Sequence, residues 1–117
     1  MKAPVDNFLP LAPATLHILL SLAGEKLYGY GIMQEVARQS NGRYKLGPGT
    51  LYDNLQRLTT QGLVEEANQR GEDENPRRRY YRLTSLGRGV LSAEITRLEQ
   101  VVTEARLHLK APHPRRA

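Results

Sequence analysis

The sequence contains no cysteine. Disulfides, thiolate metal sites, iron–sulfur clusters and thiol nucleophiles are excluded together. Long apolar runs are missing as well. The longest is Ile18-Leu19-Leu20, far short of the ~20 residues that span a bilayer. The opening stretch, Met1-Lys2-Ala3-Pro4-Val5-Asp6, lacks the apolar core of a signal peptide, so a cytoplasmic protein with no membrane partner is expected. Histidine is limited to His17, His108 and His113. Their spacing suggests no zinc site, and so few cannot build a Ser-His-Asp set. No pair of carboxylates is marked out for acid–base work. No catalytic residue, metal or cofactor is expected, and the chain does not read as an enzyme.

What is present is basic. Seventeen Lys and Arg stand against twelve Asp and Glu, a net charge of +5 on 117 residues. That length is one domain, large enough to fold without a staple. Thirteen of the bases are Arg, the planar donor suited to phosphate and guanine. All six Tyr fall between Tyr28 and Tyr81, among the central bases. A polyanionic partner fits this balance, although plain solubility would also account for the charge.

Residues 1–13 carry Pro4, Pro10 and Pro13 with little periodicity and read as an arm. Thr15 to Ala23 is apolar on most sides, a largely buried helix ended by Gly24. Residues 25–28 read as a turn. Ile32, Val36 and Ala37 fall at helical spacing over 31–40, and Asn41-Gly42 ends that helix. Tyr44 and Leu46 suggest a very short strand. Gly47-Pro48-Gly49-Thr50 opens a third helix, with Pro48 suited to its first position. Leu51, Leu55 and Leu58 form its apolar stripe, and Gln61-Gly62 its stop. Leu63 to Ala67 and Arg79 to Thr84 read as the strands of a hairpin around a polar loop. Thr84 can cap a final helix from Ser85 to about Leu109, roughly 37 Å long. The expected fold is mainly α with a small β-hairpin: a winged helix-turn-helix over 14–84, followed by a long C-terminal dimerisation helix over 85–110. The arm, 1–13, precedes them and a basic tail, 111–117, follows.

Leu46-Gly47-Pro48-Gly49-Thr50-Leu51-Tyr52, then Leu55, Arg57-Leu58 and Gly62-Leu63-Val64, resembles the recognition-helix block of PadR-like transcriptional regulators. Arg78-Arg79-Tyr80-Tyr81-Arg82-Leu83-Thr84 with Leu86-Gly87 resembles the family's second wing strand and its entry to the last helix. Tyr28-Gly29-Tyr30 with Ile32 resembles the motif that opens its second helix. The likeness runs over roughly residues 14 to 109, with the motifs in order. It implies a dimeric cytoplasmic DNA-binding repressor of the short form, released by a signal such as a small-molecule effector. Two features depart from the family pattern. Asp53 stands where many relatives carry Pro or a small residue. The Trp that serves as a stacking plate in drug-binding relatives is absent, so a multidrug pocket is not implied.

With Leu51, Leu55 and Leu58 facing the core, Thr50, Asp53, Asn54, Arg57 and Gln61 are expected on the outer face of the third helix. Asn54 could pair with adenine, Arg57 with guanine or a phosphate, and Asp53 with cytosine. A solvated helix face is the bland alternative. Gly49 and Thr50, with Lys45 just before them, stand at a helix N-terminus that could hold a phosphate, and a simple turn is as good an account. Arg70, Arg77, Arg78 and Arg79 flank the acidic loop tip Glu72-Asp73-Glu74 and could hold the DNA backbone, although each could equally be solvated. Tyr81 and Leu83 are expected inward, Arg78 and Arg82 outward. Tyr28, Tyr30 and Tyr52 could each give a hydroxyl to phosphate, with Tyr28 the favoured contact and partial packing the alternative for Tyr52.

Leu91, Ile95, Leu98, Val102, Ala105 and Leu109 step by 4, 3, 4, 3 and 4, an a/d seam. Such a seam overhangs a three-helix core, so paired terminal helices of a homodimer are expected to bury it. The expected partner is then double-stranded DNA carrying a palindromic operator. A winged-helix adaptor that binds protein and no DNA is the alternative.

Overall fold

The computed structural model describes residues 4–67 and 78–110. A 3-10 helix, Pro4–Phe8, leads to α1 (Pro13–Ser21), β1 (Leu27–Tyr28), α2 (Gly29–Gln39) and α3 (Pro48–Thr60). Strands β2 (Val64–Ala67) and β3 (Tyr80–Leu83) follow, then α4 (Ser85–Lys110). The helices cross around one core. Ile18 and Leu19 of α1, Ile32 and Val36 of α2, and Leu51, Leu55 and Leu58 of α3 are almost wholly removed from water. Each such side chain contributes about 1.5–3 kcal/mol by leaving solvent.

The hairpin is part of a three-stranded antiparallel sheet in the order β1-β3-β2. The expected turn over 25–28 contains a strand, because Leu27 pairs with Tyr81 and Tyr28 with Tyr80. On the other side Val64 pairs with Leu83 and Glu65 with Arg82. The side-chain alternation is as expected: Tyr81 and Leu83 are buried and Arg82 is exposed. The expected strand at Tyr44 and Leu46 is absent. Ser40 closes that loop, its Oγ accepting from the Tyr44 N–H at 3.0 Å and donating to the Tyr44 carbonyl at 3.2 Å. The Tyr44 ring stacks on His17, 4.4 Å between centroids.

The wing is tied to α4 by one side chain. Gly62 ends α3 at φ 80°, a left-handed conformation that glycine adopts without steric cost. Its carbonyl accepts the Thr84 hydroxyl at 2.6 Å, and Thr84 Oγ1 in turn accepts the Gly87 N–H at 2.9 Å, capping α4. Gly87 packs against the Leu63 backbone so closely that a Cβ there would strike the Leu63 carbonyl.

The N-terminal segment is docked, not a free arm. Val5, Phe8, Leu9 and Leu11 pack on the core. The Leu11 N–H donates to Glu94 Oε2 at 3.2 Å. Glu94 is only 1% exposed, and Arg97 closes on it with two bonds of 2.7 and 2.9 Å. The Arg97 bonds hold the Glu94 carboxyl below its ordinary range; burial works against them and the Leu11 N–H with them. Gly87, Val90, Leu91 and Glu94 form the face of α4 that meets its own domain. From residue 99 to 110 every side chain of α4 is exposed.

Candidate nucleic-acid interface

Helix α3 begins at Gly47-Pro48-Gly49. Gly47 offers no side-chain cap and Pro48 has no N–H to satisfy, so the first turn is left open toward solvent. Lys45, Gly49 and Thr50 are all exposed around it. This is a local field suited to an anion.

One helical turn later the expected outer row divides. Asp53 and Arg57 are exposed, as is Tyr52. Asn54 is buried, 6% exposed, and so cannot read a base edge. The reason is angular. Position 54 lies three residues after Leu51 and four before Leu58, which at 3.6 residues per turn places it inside the apolar stripe. Its amide is satisfied there, with Nδ2 donating to the Thr50 carbonyl at 2.9 Å and Oδ1 accepting from Thr15 and Arg57. Gln56, Thr59 and Thr60, which polarity alone did not single out, stand outward in its stead.

The outer face of α3 and the sheet line a groove of about 400 Å³, with Tyr52, Gln56, Thr59 and Thr60 on one wall and Glu66 of β2, Tyr81 of β3 and Arg79 just before β3 on the other. Arg79 is exposed and stands 3.8 Å from Glu66, while Arg82 makes a 2.8 Å pair with Glu65. Surface pairs of this kind are worth little and are readily exchanged for other partners. Burial pushes the Tyr81 phenol above its ordinary range, with the Glu66 charge acting in the same sense. Arg70 and Arg77, with the acidic tip, lie outside the described residues.

Tyr28, expected to give its hydroxyl to phosphate, has its ring in an aromatic cluster. Its half-buried ring packs 5.5 Å from Tyr80 and 6.4 Å from Tyr30, and the Arg78 guanidinium lies over it at 4.2 Å. The cation–π contact makes Tyr28 a platform that carries Arg78. Tyr30, 57% exposed, and Lys26, 5.5 Å over the Tyr80 ring, complete this cluster. Tyr30 is marked by the sequence; Lys26 is not, because the pairing of β1 with β3 is what brings it to Tyr80.

The α4 seam also divides. Leu91 is 7% exposed and belongs to the core of its own subunit, where the first turns of α4 must pack to hold the helix. Leu98 is half-buried and Ala105 exposed. Ile95, Val102 and Leu109 are 37%, 47% and 76% exposed, an apolar row that the subunit itself does not cover. Among the described residues no three His, Asp or Glu converge to hold a metal ion. None of the described helices is long and apolar enough to cross a membrane.

A family model described as the transcriptional regulator PadR-like family matches residues 18–93. The transcriptional regulator Rv3488 of Mycobacterium tuberculosis is 38% identical over 93 residues, 80% of this chain and 82% of that protein. A PadR family transcription regulator from Clostridium difficile superposes with a TM-score of 0.67 at 25% identity, covering 84% of this chain and 99% of that one. A Bacillus subtilis PadR in complex with operator DNA superposes with a TM-score of 0.62 at 20% identity, over 92% of this chain and 54% of that one, a likeness of fold.

Proposed function

The chain belongs to the PadR-like family of transcriptional regulators, and from that premise we propose that it is a cytoplasmic, homodimeric repressor that binds a palindromic operator. The observation that carries the reading is the exposed polar face of α3, Thr50, Asp53, Gln56 and Arg57, with exposed Arg78 and Arg79 leading into β3 beside it. A helix with its N-terminus open and exposed Thr50, Asp53, Gln56 and Arg57 along it fits a major groove. Lys45 and the open first turn of α3 serve adjacent phosphates. Arg78 and Arg79 serve the flanking backbone from the wing. The row Ile95, Val102, Ala105 and Leu109, with half-buried Leu98 at its middle, pairs with its copy in a second subunit, and the two reading helices then present themselves to two half-sites. Repression, relieved by a signal, is the mode that family membership favours.

The test is fluorescence anisotropy on the chain's own promoter across a salt series. Neutralising about six phosphates per dimer should lower affinity by roughly a thousandfold between about 50 and 200 mM salt. Binding that ignores salt, or no binding at low salt, overturns the reading and favours a protein-binding adaptor.

A further inference from the structure

Asn54 is the one polar side chain on the buried stripe of α3. Its amide has no freedom to turn. Nδ2 donates to the Thr50 carbonyl at 2.9 Å, which fixes the facing of the group. Oδ1 then accepts from the Thr15 hydroxyl at 3.1 Å and from Arg57 Nη2 at 2.8 Å. Thr15 is itself buried, on α1. An exposed guanidinium is thus tied through one amide to the centre of the core.

We propose that Asn54 is a positioning residue for DNA recognition: it sets the Arg57 guanidinium in place, with Thr15 as its anchor, and touches no base. The inference rests on the DNA-binding reading above. A guanidinium carries five N–H donors, and the tether uses one. Arginine is among the side chains with most rotamer freedom to lose on binding. Holding it beforehand removes part of that loss from the binding step. The arrangement also accounts for a polar residue standing at a core position of the helix. A buried amide with every partner in place costs little, whereas removing one partner strands the others.

The experiment is a double-mutant cycle on operator affinity. Arg57→Ala should weaken specific binding by about 5- to 150-fold. Asn54→Leu should weaken it by about 2- to 10-fold, in the range of coupled neighbours. In the Arg57→Ala background, Asn54→Leu should then cost nothing more. Thr15→Val combined with Asn54→Leu removes both buried polar partners, so it should melt close to wild type and show the same loss as Asn54→Leu. Multiplied losses, or an Asn54→Leu protein that binds normally, overturn the proposal. Side-chain NMR of the unmodified free protein gives an independent reading: slow rotation at Arg57 Nη supports the tether, and rotation as fast as at the exposed Arg43 overturns it. A wild-type chain that binds no promoter DNA at low salt brings down the DNA-binding reading and the proposal together. A wild type that binds while the losses multiply removes the proposal alone.

Discussion

Gly87 of α4 lies against the backbone carbonyl of Leu63, with no room between them for a methyl group. The contact seats the first turn of the long helix on the junction between α3 and β2. A carbonyl in the chain cannot swing aside as a side chain can. Gly87→Ala should therefore destabilise the fold by about 1–3 kcal/mol, the usual range for overpacking. Gly89, two residues on, meets only the Val5 methyl at 3.4 Å. Gly89→Ala should be neutral or stabilising by up to ~1 kcal/mol through helix propensity. Thermal melts of the two variants decide the matter, and equal melting temperatures would remove the special role of Gly87.

Glu94 makes stability depend on pH in a stated direction. Its folded pKa lies below the ordinary 4.5, with its bonds to Arg97 the chief cause. The carboxylate therefore contributes stability that is fully present above that ordinary value and is lost as pH falls through the lower folded value. Glu94→Gln should cost about 1–3 kcal/mol at neutral pH. The gap from wild type should close as the pH drops below the folded value. Urea unfolding at a series of pH values measures this, and a gap that stays constant with pH would assign the loss to packing.

The α4 row can be tested by two substitutions on opposite faces of one helix. Leu98 lies in the middle of the row, and Leu98→Glu would place two carboxylates in a desolvated seam, at a cost of several kcal/mol. The variant should elute as a monomer in size-exclusion with light scattering. Leu107, 59% exposed, lies nine residues on and half a turn around. Leu107→Glu should stay dimeric. Two monomers, or two dimers, would place the dimer contact elsewhere.

Arg78 should behave as a backbone contact. Arg78→Ala should weaken binding to operator and random DNA alike and lower the salt slope by about one. A loss confined to the operator would make it a base reader.

The parts of the fold that were legible in the sequence are those set by neighbours along the chain. Pro48 marks a helix start, Gly62 a left-handed stop and Thr84 a cap, and each lies where local chemistry puts it. The long helix was legible because its apolar period continues past the core. What sequence could not carry is pairing at a distance. A strand of two residues, Leu27–Tyr28, has no alternation to detect, and only β3 makes it a strand. Glu94 looks like any helical surface acid until the N-terminal segment folds over it. Asn54 differs, because the angle was present in the numbering: its offset from Leu51 and Leu58 points inward. Grouping by polarity hid it, since polar side chains are rare in a stripe unless partners wait for them. Thr15, the waiting partner, is 39 positions away.

Helix α4 leaves the body of the subunit at Glu94 and runs on to Lys110. That free length is roughly 24 Å at the rise of an α-helix. It would act as a lever with its fulcrum at the Glu94–Arg97–Leu11 junction. A tilt of about 10° at the fulcrum carries the tip through about 4 Å, more than the ~3.4 Å axial step of one base pair. Any small adjustment where the N-terminal segment meets α4 would therefore be magnified at the far end, and a pair of subunits joined through these helices would feel it as a change of reach along the duplex.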